Sequence, residues 1–260
     1  MNCEIPSLFA FYQFSPAVGY QNLELNLNYN YAASTFVTIG KTKSTMTFGD
    51  IGVNNLTYFG TVIQLLLDNG ATATVEVDGL GEVDAMFTYA TTEDGAPTAG
   101  WYLMDDGAFE YPQNDRILAM GQGYLVDCSD VDAALVFAGS VSKEDTEVEL
   151  NLNYNYTGNC SPKDITFGDI TGENLTYFGT VIQLLLDNGA TATVEVDGLG
   201  EVDAMFTYAT TEDGAPTAGW YLMDDGAFEY PQNERVVTAG QGLLVDCSDS
   251  DATVVFPAAL

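Results

Sequence analysis

The sequence predicts an all-β protein made of two tandem β-sandwich modules that arose by internal duplication, with a flattened barrel as the alternative closure of each module. Three observations carry this reading. Asn55–Asn114 recurs without a change as Asn174–Asn233. Short apolar stretches alternate with polar residues at the two-residue period of a half-buried strand. Gly, Pro, Asn and Asp then punctuate the chain between those stretches, as turns between short strands require. No window carries the apolar period and caps of a helix.

The duplication sets the organisation. Its core repeats at an offset of 119, whereas Leu25–Tyr31 returns as Leu150–Tyr156 at an offset of 125, so the first copy carries six more residues between them. They fall within Ala32–Thr45, which the second copy replaces with Thr157–Asp164. The expected division is an N-terminal connector at 1–20, a first module at 21–139, a linker at 140–145 and a second module at 146–260. Solenoid units are about 20–50 residues long, and these are far longer, so each is expected to close its own core.

The elements follow in order. Leu23, Leu25, Leu27, Tyr29 and Tyr31 alternate with Glu24, Asn26, Asn28 and Asn30, which predicts one strand with an apolar and an amide face. Tyr58–Leu67 runs into Asp68-Asn69-Gly70 and the alternating Ala71–Val77, a hairpin with its turn residues in place. Gly79–Gly81 marks a second turn before a strand at Val83–Ala90. Trp101–Met104, Arg116–Met120, Tyr124–Cys128 and Ala133–Phe137 complete the first module as short strands.

Charge narrows the function classes. Six Lys plus Arg stand against 38 Asp plus Glu, a formal net charge of −32, and the chain has no His. Such a surface repels phosphate backbones and anionic lipid heads, so neither nucleic-acid binding nor membrane-surface binding is expected. Self-association is expected to need salt or cations for screening. With 47% hydrophobic residues the chain nonetheless has the apolar content of a folded protein. No apolar run reaches the roughly 18 residues of a spanning helix, so no membrane insertion is expected. Met1-Asn2-Cys3-Glu4 lacks the basic start of a secretory leader, and the N-terminus reads as part of the mature protein.

The four cysteines suit an oxidising compartment. Cys128 and Cys247 occupy equivalent places late in the two copies, and Cys3 and Cys160 stand early. One bridge per module, Cys3–Cys128 and Cys160–Cys247, is the expected pairing, with buried free thiols as the alternative.

Without His, no Ser-His-Asp or Cys-His nucleophile and no His-ligated metal can form. A phosphate loop and a dinucleotide fingerprint are also missing. Paired carboxylates remain, and no catalytic residue is assigned. The densest acidic group is Glu76, Asp78, Glu82 and Asp84, repeated as Glu195, Asp197, Glu201 and Asp203. With Gly79–Gly81 as the hairpin loop, Asp78 faces Glu82 and Glu76 faces Asp84, while Val77 pairs with Val83 behind them. That face reads either as a solvated acidic surface or as a Ca2+ site made of oxygen ligands, and Ca2+ is the one cofactor considered. Trp101, Tyr102, Phe109 and Tyr111 read as sandwich core or as a sugar-stacking platform. Asn55, Asn155 and Asn174 each begin a glycosylation sequon.

The apolar segment around Leu8, Phe9, Phe11, Tyr12 and Phe14 has no counterpart before the second copy. It is expected either to fold back on the first module or to be donated to a sheet of the next subunit in a contact that does not close and so grows a filament.

Phe48-Gly-Asp50 and Phe167-Gly-Asp169, Gly100-Trp101-Tyr102, and Gly121-Gln-Gly-Tyr-Leu-Val126 with Gly240-Gln-Gly-Leu-Leu-Val245 together resemble tandem β-modules of bacterial secreted and cell-surface proteins. The resemblance implies an extracellular, structural or adhesive role and brings no catalytic residues. The expected function is therefore a non-enzymatic subunit of an extracellular filament or surface layer, with copies of itself as partner. A secreted carbohydrate-binding or adhesion module, with glycans as partner, is the alternative.

Overall fold

The computed structural model describes residues 18–35, 46–67, 71–104, 109–186, 189–223 and 228–259. Alternating and β-branched stretches dictate strands, and the chain is all-β, with four 3-10 turns and no α-helix among these residues. Its first twelve strands are β1 (Val18–Leu25), β2 (Asn28–Ala33), β3 (Met46–Thr47), β4 (Gly52–Asn54), β5 (Thr61–Leu65), β6 (Thr74–Val77), β7 (Gly81–Asp84), β8 (Met86–Ala90), β9 (Gly100–Leu103), β10 (Ile117–Leu118), β11 (Gly123–Cys128) and β12 (Ala133–Ser140). The next twelve are β13 (Thr146–Leu150), β14 (Asn153–Gly158), β15 (Ile165–Thr166), β16 (Thr171–Glu173), β17 (Thr180–Gln183), β18 (Thr193–Val196), β19 (Gly200–Asp203), β20 (Met205–Ala209), β21 (Gly219–Leu222), β22 (Val236–Val237), β23 (Gly242–Cys247) and β24 (Ala252–Phe256).

The first twelve form a three-stranded sheet ordered β1-β12-β4, a five-stranded sheet ordered β2-β11-β5-β8-β9, and the pairs β3-β10 and β6-β7. Among the last twelve the orders are β13-β24-β16, β14-β23-β17-β20-β21, β15-β22 and β18-β19, all pairings being antiparallel. The inward residues of both larger sheets meet in one cluster per half. Leu25, Leu135 and Phe137 of the small sheet pack with Ile63, Phe87, Trp101 and Val126 of the large one, and Leu150, Val254 and Phe256 pack with Ile182, Phe206, Trp220 and Val245.

The expected strand Leu23–Tyr31 is in fact two. The chain leaves β1 at Leu25 and enters β2 at Asn28, passing from the small sheet to the large one. Asn28 sits at φ 78°, a left-handed conformation that Asn adopts more readily than most residues. The Asn30 side chain clamps the corner: its carbonyl accepts from Asn26 N at 2.9 Å, and its amide donates to Asn26 O at 2.8 Å and Asn28 O at 3.0 Å. Asp132 adds a bond from Leu27 N at 3.0 Å. Asn155 closes the equivalent corner through Asn151 and Asn153. These amides serve the corner rather than an amide face.

The recurrent Phe-Gly-Asp is a 3-10 turn at Phe48–Asp50. It sinks Phe48 against Phe87 and Trp101, at ring separations of 4.9 and 5.7 Å, while Asp50 accepts from Thr47 N and Oγ1. Asn114 ties that turn to β9, accepting from Gly49 N at its backbone and from Trp101 N at its side chain. No helix of the described residues is long and apolar enough to cross a membrane.

Candidate functional site

The two halves touch along a seam whose contacts come in reciprocal pairs. A Cβ built on Gly123 would lie 2.6 Å from the backbone carbon of Tyr156, and one on Gly242 would lie 2.5 Å from that of Tyr31. Tyr31 and Tyr156 are equivalent residues, as are Gly123 and Gly242, so each half reads the other with the same two positions. The same reciprocity governs the edge of the seam. Gln21 Nε2 donates to Ala239 O at 2.7 Å, and Thr146 Oγ1 lies 3.9 Å from Met120 Sδ, its counterpart pair. Ala33 N donates to Gly240 O at 3.0 Å, while the counterpart acceptor, Gly121 O, takes a bond of 2.7 Å from Thr157 Oγ1, one residue before the counterpart of Ala33. A contact in which residue i meets j and j meets i is two-fold in kind, and it closes on itself.

On the axis, the rings of Tyr31 and Tyr156 stack at 6.1 Å with planes 16° apart. Burial, then the neighbouring phenols of Tyr156 and Tyr29, raise the pKa of the Tyr31 hydroxyl; burial, then Tyr154, raises that of Tyr156. Both phenols therefore stay neutral well into the alkaline range.

Beside the axis lie two equivalent clefts. One, of about 600 Å³, has Leu66 and Leu67 of the first half on one wall and Glu149, Tyr154 and Tyr156 of the second on the other. Its counterpart, of about 520 Å³, sets Leu185 and Leu186 of the second half against Glu24, Tyr29 and Tyr31 of the first. Tyr29 and Tyr154 are 40% and 42% exposed, so each cleft offers one open aromatic ring among amides and carboxylates. That combination suits an uncharged polyhydroxylated ligand, with ring stacking and hydrogen bonds, and opposes an anion.

Sequence reasoning did not find this seam. The readable signal was Gly121-Gln-Gly123 and Gly240-Gln-Gly242, a turn glycine two residues before the glycine that opens β11 or β23, against the small residues Ala32-Ala33 and Thr157-Gly158.

The acidic hairpins form with a different register. Glu76 faces Glu82, Thr74 faces Asp84 and Val75 pairs with Val83, with Asp78 in the turn; β18 and β19 repeat this with Glu195 facing Glu201, Thr193 facing Asp203, and Asp197 in the turn. Asp84 and Asp203 thus stand opposite threonines, because Leu80 N bonds to Val77 O and closes the turn one residue earlier than expected. Among the described residues no group of three or more acidic or Cys side chains is placed to hold a metal ion.

Cys160 and Cys247 are separate buried thiols, so the expected Cys160–Cys247 bridge is absent. Cys160 Sγ donates to Gly158 O at 3.1 Å beside Gly121 at the seam, whereas Cys247 lies in β23 opposite Asn153 and Thr180. Cys128 is likewise a buried free thiol, and Cys3, the other half of the Cys3–Cys128 pairing, lies outside the described residues. The connector residues Leu8, Phe9, Phe11, Tyr12 and Phe14 lie outside them too.

Trp101 and Tyr102 are core residues, at 0% and 1% exposure, with Phe109 packed on Tyr102 at 5.3 Å. They form no sugar platform. Of the sequons, Asn55 is exposed but donates to Asp132 O at 2.7 Å, Asn174 is exposed at φ 57°, and Asn155 is committed to its corner.

No family model matches the chain, and no solved structure matches it. A co-chaperonin GroES from Legionella jeonii is 41% identical over 49 residues, which is 19% of this chain and 51% of that protein. The chain therefore spans about half the length of this curated relative, and the likeness assigns it no activity.

Proposed function

We propose that the chain is a pair of duplicated β-sandwich modules serving as a non-enzymatic structural subunit of an extracellular filament or surface layer. The observation that carries this reading is the reciprocal seam. Two near-identical halves related by a two-fold present every outward patch twice, on opposite sides of the axis, so any one self-complementary or ligand-binding patch makes the subunit bivalent. Bivalence is what a building block of a chain or layer needs.

The absence of His and of a catalytic constellation supports a non-enzymatic role. The net charge of −32 keeps subunits apart until salt or divalent cations screen it, which favours assembly outside the cell, where such ions are abundant. A seam closed within one chain leaves growth to a contact between chains, and the part of the expected 1–20 connector that precedes β1, at the edge of the small sheet, is one candidate donor.

Negative-stain micrographs of the full chain and of a version lacking residues 1–17, in low salt and in millimolar CaCl2, test this. Filaments or sheets from the full chain that disappear on truncation support the donor contact. Two-lobed monomers in every condition overturn the assembly reading.

A second reading, a secreted carbohydrate-binding or adhesion module, is favoured by the twin clefts. It predicts retention on neutral glycans of an array, lost on replacing Tyr29 and Tyr154 together by Ala.

A further inference from the structure

We infer that the seam is an exchangeable contact: the first half of one chain closes on the second half of another, so that each chain links two neighbours with no new interface. This rests on the assembly reading for its use, and it supplies that reading with a mechanism.

The seam faces carry the argument. Each half meets its partner through the same parts, the glycine that opens a strand (Gly123 or Gly242) seated on a tyrosine backbone (Tyr156 or Tyr31). The bonds across it, Ala33 N to Gly240 O, Thr157 Oγ1 to Gly121 O and Gln21 Nε2 to Ala239 O, join one half to the other. A second half from another chain offers the same donors and acceptors in the same places. Closing within a chain and closing between chains therefore make identical contacts, and only the linker and the cost of association separate them.

The linker is short and held locally. β12 ends at Ser140 and β13 starts at Thr146. Between them Ser142 Oγ donates to Glu144 O at 2.7 Å and accepts from Glu144 N at 3.2 Å, and Asp145 accepts from Ala258 N at 2.8 Å. Val141 also packs on the core of the first half, and once it lifts away with these bonds the ends of the tether can separate by roughly 20 Å. Short hinges between self-complementary halves are the usual setting for exchange. The high negative charge sets the condition: two chains must approach closely, so exchange requires screening salt.

The test is to unfold the full chain in denaturant and refold it dilute and concentrated in moderate salt, followed by size exclusion with light scattering. Dilute refolding is expected to give monomers. Concentrated refolding is expected to give a ladder of dimers and longer species, the dimer-to-monomer ratio rising roughly tenfold per tenfold in chain concentration. Deleting Ser142–Glu144 should move the ladder to lower concentration, because a shortened linker hinders closure within one chain. Gly242→Leu, with its β signature checked by circular dichroism, should lose the ladder.

Monomers at every concentration from both the full and the shortened chain overturn the inference, as does an unchanged ladder from folded Gly242→Leu. If Gly242→Leu does not fold, the linker deletion decides the matter alone. Native filaments that persist in Gly242→Leu would overturn the exchange while leaving the filament reading standing.

Discussion

The rings of Tyr31 and Tyr156, equivalent residues of the two halves, stack with centroids 6.1 Å apart. A residue that contacts its own counterpart lies on a two-fold axis, and the rest of the seam follows from that position. Gly123 and Gly242 fall on either side of it, each against the backbone of the other half's tyrosine.

Filling the seam is the first prediction. Gly123→Val forces a side chain into a space bounded by the backbone of Tyr156 and Thr157, which cannot swing aside. It should cost about 1–3 kcal/mol of stability, read as a lower urea midpoint. Gly79→Ala, in an exposed turn where no atom lies within 4 Å but φ is 90°, should cost about 1 kcal/mol through backbone strain alone and leave the seam intact.

The corner asparagines come next. Removing the Asn30 side chain strands Asn26 N and leaves Asn26 O and Asn28 O without their donor. Asn30→Ala should lower stability by about 1–2 kcal/mol, with water taking up part of the loss at this exposed corner, and Asn155→Ala should behave alike. Thermal unfolding of the two single variants checks both. Asn155 should also carry no glycan when the protein is secreted from a glycosylating host, which peptide mapping by mass spectrometry reads.

Tyr124 is the clearest difference between the two cores. Its hydroxyl is buried with no hydrogen-bond partner among the described residues, and burial pushes the phenol far up, whereas Leu243 stands at the equivalent place. Tyr124→Phe removes the unsatisfied oxygen and keeps the ring. It should raise stability by about 1 kcal/mol, visible as a higher melting temperature.

The thiols give a pH signature. Burial, then the Asp127 carboxylate, pushes Cys128 from 9.0 to about 11, and burial, then Asp246, does the same for Cys247. A thiol with a raised folded value holds its proton more tightly when folded. Its contribution is full below pH 9 and is lost as pH rises through about 11, so stability should fall across that window. Urea melts at pH 8 and pH 10.5 check the sign. In the native protein at pH 8, Cys128, Cys160 and Cys247 should resist alkylation and should label after unfolding; a Cys160–Cys247 bridge would instead leave that pair unlabelled.

Strand positions were largely legible, because Thr61–Leu65, Trp101–Leu103 and Tyr124–Cys128 are dense in β-branched and aromatic residues between turn formers. Register was less so. Alternation fixes which side Glu76 and Glu82 share but not which residues face each other, and the turn hydrogen bond from Leu80 to Val77 decided that. Leu23–Tyr31 alternates without a break, so its pattern hid a change of sheet that rests on one left-handed Asn and one side-chain clamp. The seam was the least visible feature. Its closest contacts are made by glycine and tyrosine, and the role of Tyr31 depends on a neighbour 125 residues away, of which local periodicity carries no trace.

The closed two-fold seam is tested most directly by an NMR sample protonated only at tyrosine rings, with Tyr31→Phe and Tyr156→Phe variants used to assign the signals. A ring-to-ring Overhauser effect between Tyr31 and Tyr156, retained on dilution, is the expected result. Its absence in a sample whose two halves are both folded would contradict the seam and, with it, the bivalent subunit.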